Sequence, residues 1–323
     1  MYFLKRLLLI IPTFFCIMCV NFFVVHYAPG NPVSEILSQE DPAFNVKNPF
    51  KTFLFDEDII TKLKADFELD QPLPQRFFSM LKRYARFDFG YSYFKGEKVS
   101  TLIKKSFPLS FALGIMSTIL TYCLAIPLGI MKARYFNSRF DIFSTFILGG
   151  VYAIPPFATA ILLIVLVGNY VPIYASAENF PWFFIIPVSV LVLYNLVKPT
   201  LLMKNSLLEE FSKPYVMIVR AKGASEQYIL WRHCFKNSFL VTISSFSYVF
   251  LFTFFFGTLV IEFLFSINGL GYLSYEATIN RDYPVILACL YVYALFGLLC
   301  HILTDWIYSI LDKRVRLNHG NGH

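Results

Sequence analysis

Ser106-Phe-Pro-Leu-Ser-Phe-Ala-Leu-Gly-Ile-Met-Ser-Thr-Ile-Leu-Thr-Tyr-Cys-Leu-Ala-Ile-Pro-Leu-Gly-Ile-Met131 contains no charged residue. A helix needs about 20 apolar residues to cross a bilayer, and this run exceeds that length. Inside hydrocarbon a backbone must satisfy its own hydrogen bonds, which leaves helices or closed barrels. The run is too long for a barrel strand and does not alternate strictly. It therefore reads as a transmembrane helix.

Working outward, further charge-free runs span Leu7 to Tyr27, Ile142 to Ala177, Asn179 to Val197, Asn237 to Ile261 and Tyr283 to Thr304. The run ending at Val197 continues through Lys198 to Met203, and Ile142 to Ala177 has room for a helix plus an outer loop. The expected fold is an all-α integral membrane protein with six transmembrane helices. Composition agrees: 15% of residues are charged, where a soluble domain carries about a quarter. The formal charge of +7 would otherwise suggest nucleic acid, but the basic residues sit beside the apolar runs, which points to lipid instead.

Their placement sets the orientation. Lys5 and Arg6 precede the first run. Lys132, Arg134 and Arg139 follow the second, Lys204 to Lys236 holds six basic residues, and Lys313, Arg314 and Arg316 follow the sixth. The short loops on the other side hold only Arg281. By the positive-inside rule both termini are cytoplasmic. The outer segment Pro29 to Lys105 carries twelve basic and eleven acidic residues; long translocated loops escape the rule. Asp56 to Glu68 is expected to be helical, Gln71 to Pro74 a linker, and Pro74 to Arg86 a helix with Phe77, Phe78, Leu81 and Tyr84 at helical spacing. The chain divides into a first transmembrane helix (1–28), a helical outer loop (29–105), a five-helix transmembrane core (106–312) containing the inner loop 204–236, and an inner tail (313–323). The first helix ends at Ala28-Pro-Gly-Asn-Pro without a small-x-small cleavage site and is expected to be retained.

Catalytic and ion-relay chemistry finds little support. No Gly-x-x-x-x-Gly-Lys-Ser/Thr loop exists for ATP, no Ser-His-Asp set stands out, and no metal site is expected. Cys16-x-x-Cys19 lies in an uncharged helix and reads as apolar filler. Lys198 is placed near the inner end of the fourth run, where it can snorkel; Glu262 and Asp305 lie near run ends. Phe254-Phe-Phe reads as lipid-facing bulk. Pro127, Pro155, Pro156, Pro187 and Pro199 invite kinks.

The inner loop is the informative element. Pro214 to Lys222 is predicted to be a short helix with Tyr215, Ile218 and Val219 on one face. Gly223 fits its left-handed C-cap, and Ser225 the N-cap of the next helix. Such an element either docks into a groove on a soluble partner or lies on the lipid surface.

Tyr215-Val-Met-Ile-Val-Arg-Ala-Lys-Gly-Ala-Ser-Glu226 resembles the coupling loop of ABC importer permeases, in the oligopeptide, dipeptide and nickel branch. Phe3-Leu-Lys-Arg with Ala28-Pro-Gly-Asn-Pro is similar to that branch's first helix. Leu69-Asp-Gln-Pro-Leu-Pro and Asp88-Phe-Gly-Tyr-Ser resemble its outer segment. Gly269-Leu-Gly, Asn280-Arg-Asp-Tyr-Pro and Leu311-Asp-Lys-Arg-Val-Arg resemble its end. Lys204-Asn-Ser and Tyr275-Glu-Ala-Thr-Ile favour the first permease of Yej-type systems, which take microcin C-like peptides. The chain departs from the general pattern at Met217, Ile218 and Val219, where others carry Glu-Ala-Ala, and at Asn237-Ser-Phe, where many carry a proline.

The resemblance implies a non-catalytic permease subunit of a bacterial inner-membrane, binding-protein-dependent peptide importer. Nickel or a dipeptide is the alternative cargo, and a stand-alone secondary transporter or a membrane receptor would be the alternative class. It further implies a homologous second permease, two ATPase subunits or one fused ATPase that hold ATP and Mg, and a periplasmic binding protein; no nucleic acid is involved. The ATPase-coupling residues it implies are Glu210, Tyr215, Arg220, Ala221, Lys222, Gly223, Ser225 and Glu226. The substrate-binding residues stay unassigned.

Overall fold

The structure is a computed structural model that describes residues 2–27, 72–167 and 182–311. The expected helix at Asp56 to Glu68, the outer part of the third run and the tail 313–323 lie outside these residues. Regular structure among the described residues is helical: α1 (Tyr2–Tyr27), α2 (Leu73–Tyr84), α3 (Val99–Arg134), α4 (Arg139–Ala153), α5 (Pro156–Val167), α6 (Ile185–Asn195), α7 (Val197–Phe211), α8 (Pro214–Ala221), α9 (Glu226–Leu264), α10 (Leu270–Ile279) and α11 (Tyr283–Leu311). Three helices, α3, α9 and the Tyr283–Thr304 part of α11, are long and apolar enough to cross a membrane, and counting each bent pair as one span gives up to five. α1 contributes the shorter apolar stretch Leu9–Val25.

The prolines do unequal things. Pro108 and Pro127 lie inside α3 without ending it. The third run, expected as one helix and a loop, is instead two helices bent by 101°. The reason is Pro155-Pro156: Ile154 is driven to an extended ψ of 124°, as the residue before a proline prefers. Pro156 then opens α5 at a position where its missing N–H costs nothing. α6 and α7 meet at a gentler 40° bend, three residues before Pro199, whose ring cannot donate to the Asn195 carbonyl. α9 is continuous but carries wider π-type turns at Ile229–Cys234 and Thr253–Gly257.

The chain forms two compact units. One combines residues up to Phe107 with Leu273–Leu298. Its packing is aromatic: Phe77 of α2 meets Phe15 and Phe22 of α1 with centroids 5.4 and 5.3 Å apart. Tyr84 packs on Tyr291 of α11 at 5.4 Å. The helix expected around Phe77 and Tyr84 is present with both buried, while Phe78 is exposed. Asp282, at the start of α11, accepts hydrogen bonds from Ser92 Oγ (2.5 Å) and from the amides of Tyr93 (3.2 Å) and Phe94 (3.3 Å). Burial pushes its carboxyl above the usual range, and these donors pull it back. The Asp88-Phe-Gly-Tyr-Ser and Asn280-Arg-Asp-Tyr-Pro stretches are thus two halves of one clasp. Asp282→Ala leaves Ser92 and two amides without their acceptor, and is expected to cost about 1–3 kcal/mol, read as a lower melting temperature in detergent. An unchanged melting temperature would show the clasp to be ornamental.

The other unit runs from Pro108 to Tyr272, with Leu299 onward. Leu113, Val190, Leu191, Ile261, Phe265 and Ile267 form one buried cluster. Phe254, expected to face lipid, is fully buried in this unit, its ring 6.0 Å from Phe250. Small residues let membrane helices approach closely, and Gly129 is such a point: a Cβ there would lie 2.7 Å from Met203 Cβ and 2.8 Å from the Thr200 carbonyl. Glu262, fully buried in α9, accepts from Ser110 Oγ at 2.5 Å and from the Tyr272 amide at 2.9 Å. It thereby pins the Gly269-Leu-Gly turn.

One charge placement differs from expectation. Lys132, assigned to a loop, lies within α3 with its side chain fully buried. Its ammonium meets Asp141 Oδ1 at 3.0 Å and donates to Ser144 Oγ at 2.8 Å and Thr145 Oγ1 at 2.7 Å. Lys204 of α7 donates to both Asp141 carboxylate oxygens at 2.8 Å. One aspartate therefore joins α3, α4 and α7. Periodicity carries no signal for this, because the partners are 9 and 63 residues from Asp141.

Candidate functional site

The loop 204–236 folds as a short helix held at both ends. Pro214 occupies the first turn of α8, and Lys213 precedes it in extended conformation. At the other end Gly223 takes φ +87°. Its amide donates to the Arg220 carbonyl at 3.0 Å, and the Ala224 amide reaches back to the Val219 carbonyl at 3.4 Å. This pair of bonds is a Schellman motif, which satisfies carbonyls a helix end would leave open. Ala224 and Val219 both pack on the same apolar cluster, the hydrophobic contact that accompanies such an end. Ser225 then caps α9, its Oγ accepting from the Tyr228 amide at 3.3 Å.

The buried face of α8 differs from the expected one. Val216 is fully buried against Met203, Leu207, Ile229 and Cys234, with Val219 beside it. Ile218 points outward, 58% exposed, next to Met217 at 56%. Tyr228 and Trp231, on the first turns of α9, are also exposed. Helical spacing allows two apolar sides, Tyr215 with Ile218 and Val219 or Val216 with Val219, and the cluster from α7 and α9 encloses the second.

Polar contacts fix the loop to its surroundings. Glu210, buried near the end of α7, accepts from Lys213 Nζ, from the Tyr215 hydroxyl and from Asn237 Nδ2, the last at 3.3 Å. Burial and the neighbouring Glu210 carboxylate push the Tyr215 hydroxyl up to about 12, so it remains a donor at physiological pH. Arg220 grips Glu226 with two parallel bonds, Nε to Oε1 at 2.6 Å and Nη2 to Oε2 at 3.0 Å. The pair spans the turn at Gly223; being exposed, it positions rather than stabilises. Ala221 and Lys222 are exposed beside the turn. The eight implied residues thus fall into two groups, Glu210 with Tyr215 and the Arg220 to Glu226 turn. Asn237, flagged only as a departure, turns out to be a third partner of Glu210. Among the described residues no group of histidine, cysteine, aspartate or glutamate could hold a metal ion.

Residues 125–317, which contain this loop, match the family described as binding-protein-dependent transport system inner membrane component. The chain belongs to this family. It is therefore a membrane-embedded permease component of an ABC transporter of the inner membrane. Relatives of this inner membrane component family cover almost all of the chain. The inner membrane ABC transporter permease protein YejB of Escherichia coli O157:H7 is 40% identical over 97% of this chain and 98% of its own length. The peptidoglycan transport system permease protein YejB of Agrobacterium fabrum is 36% identical over 97% of both. The oligopeptide transport system permease protein OppB of Haemophilus influenzae is 27% identical over 97% of this chain and 98% of its own. The crystal structure of an amino acid ABC transporter with histidines shares the fold at a TM-score of 0.51 and 10% identity, over 65% of this chain and 94% of that one.

Proposed function

We propose that this inner membrane component is the first of two homologous permeases in an ATP-driven importer of oligopeptides or peptide-like compounds, and that the loop 204–236 relays ATPase closure to its helices. On this reading the chain has six spans with both termini cytoplasmic, and the outer segment 29–105 helps a periplasmic binding protein engage. The chain itself performs no catalysis. ATP and Mg sit on two ATPase subunits or one fused ATPase. The names of the relatives, which include peptidoglycan and oligopeptide transport, support the substrate class.

The observation that carries the coupling role is the exposed pair Met217 and Ile218, on a helix whose two ends are both fixed, with Tyr228 and Trp231 exposed on the first turns of α9 that follow. A short rigid element with an apolar outer face is suited to a groove on a soluble partner, and a rigid-body shift of the partner would pass directly into α7 and α9 through Glu210 and Ser225. Affinity co-purification of the tagged chain with its neighbouring gene products tests this. Ile218→Asp is expected to retain the second permease and lose the ATPase, with the amount in the membrane unchanged. An undiminished ATPase yield would remove the docking role. A drop in membrane amount alone would place α8 on the lipid surface instead.

A further inference from the structure

Four rings and one cation form a continuous strip in the unit that runs from Pro108 to Tyr272. Tyr152 of α4 stacks on Tyr194 of α6, centroids 5.5 Å apart and planes 17° from parallel. Tyr194 stacks on Phe252 of α9 at 6.3 Å and 19°. Phe252 stacks on Tyr248, one turn earlier, at 6.2 Å and 15°. Lys198 of α7 places its ammonium 3.5 Å from the centre of the Tyr248 ring. Tyr152 and Tyr248 are each 54% exposed, and Lys198 is exposed as well.

The depth of this strip decides its meaning. Lys198 was expected near a span end, where its stem could reach the headgroups. Along α7 it stands six residues before the inner loop opens at Lys204, about 9 Å at 1.5 Å per residue, but its ammonium lies over the Tyr248 ring, and Tyr248 stands twelve residues past the loop's end at Lys236, about 18 Å along α9. Tyr152 lies beside the break between α4 and α5, and Tyr248 lies in the middle turns of α9. An ammonium at such depth is expensive against lipid, and residues of this kind face a bundle interior or a watery cavity. The Tyr248 hydroxyl favours the same setting, because lipid offers it no partner, while the hydroxyls of Tyr152 and Tyr194 bond each other.

We infer that this strip is a contact surface for a peptide in transit, with Lys198 receiving the C-terminal carboxylate and the stacked rings of Tyr152, Tyr194, Tyr248 and Phe252 carrying side chains and peptide planes. The inference rests on the peptide-import reading and assigns that cargo a site. A peptide of any sequence ends in a carboxylate, and an ammonium is its natural partner. Ring faces accept varied groups without demanding one shape. The strip supplies a cation and no carboxylate, so it complements the C-terminus and leaves the N-terminal amine to other contacts. Tyr248 holds the ammonium in place by its ring face.

The test uses the complete transporter with its binding protein in ATP-loaded proteoliposomes, offered one short peptide as the free acid and as the C-terminal amide. The native protein sets the acid-to-amide uptake ratio, so the preference of the binding protein cancels between variants. Lys198→Met is expected to lower that ratio about tenfold or more, and Lys198→Arg to keep it near the native value. An unchanged ratio in Lys198→Met overturns the site and leaves peptide import standing, as expected for a lysine that meets lipid phosphate. Native protein that imports neither form overturns both. Because a variant can fail to assemble, the native protein is also irradiated during uptake with a peptide carrying a benzophenone at its C-terminal residue. Labelling around Lys198 and Tyr248 supports the site; labelling confined to other segments overturns it.

Discussion

Replacing Asp141 with alanine is expected to destabilise the protein by about 3–5 kcal/mol, enough to reduce its amount in the membrane severely. The carboxylate lies between two ammonium groups, Lys132 at 3.0 Å and Lys204 at 2.8 Å, with side-chain exposures of 0%, 12% and, for Asp141 itself, 5%. Removing it strands two cations. Lys132 keeps Ser144 and Thr145, whose neutral oxygens do not cancel its charge, while Lys204 loses both carboxylate bonds. The melting temperature in detergent and the membrane yield both report the loss. Asp141→Ala combined with Lys132→Met should recover part of it, since the second change removes the stranded charge. If Asp141→Ala melts with the native protein, the three-helix junction contributes nothing.

Gly223→Val is expected to abolish uptake, a loss of tenfold or more, with the amount of protein in the membrane close to native. The reason is conformational rather than steric. A Cβ at Gly223 would meet nothing within 4 Å, but the φ of +87° costs an L-residue about 1–2 kcal/mol, and a β-branched residue more. The valine variant relieves this by unwinding the Schellman end, which detaches α8 from the Ser225 cap and from the Arg220–Glu226 bridge. Gly223→Asn should keep most of the activity, because asparagine tolerates the left-handed region. Peptide uptake normalised to membrane amount distinguishes the two. Equal uptake in valine, asparagine and native proteins would show that the geometry of this turn is not used in transport.

Much of the coupling loop was legible along the chain because its determinants are local. A left-handed glycine, a Ser cap three residues before the amide it accepts from, and a proline at the first turn all act within one or two turns of helix. The outward face of α8 was not. Tyr215, Ile218 and Val219 look like one apolar side, but Val216 is the residue that the α7–α9 cluster encloses, and only the position of that cluster determines the choice. The same holds for Asn237, whose value lies in Glu210, 27 residues away.

The amino-acid sequence alone determined the class of this protein and the positions of its apolar runs, since a bilayer demands uninterrupted apolar length and that length can be read residue by residue. It also located the fixed ends of α8, which are short-range backbone effects, and the prolines that invite kinks, but that the third run becomes two helices bent by 101° was decided by the structure. Tertiary structure decided which charges are structural. Lys132, Asp141 and Lys204 become one buried junction, Asp282 closes on Ser92, and Glu262 on Ser110, each through contacts between segments distant in sequence. It likewise decided the setting of Lys198. Hydropathy records that a charge interrupts a run, whereas burial, depth and the ring beneath the ammonium depend on how helices pack.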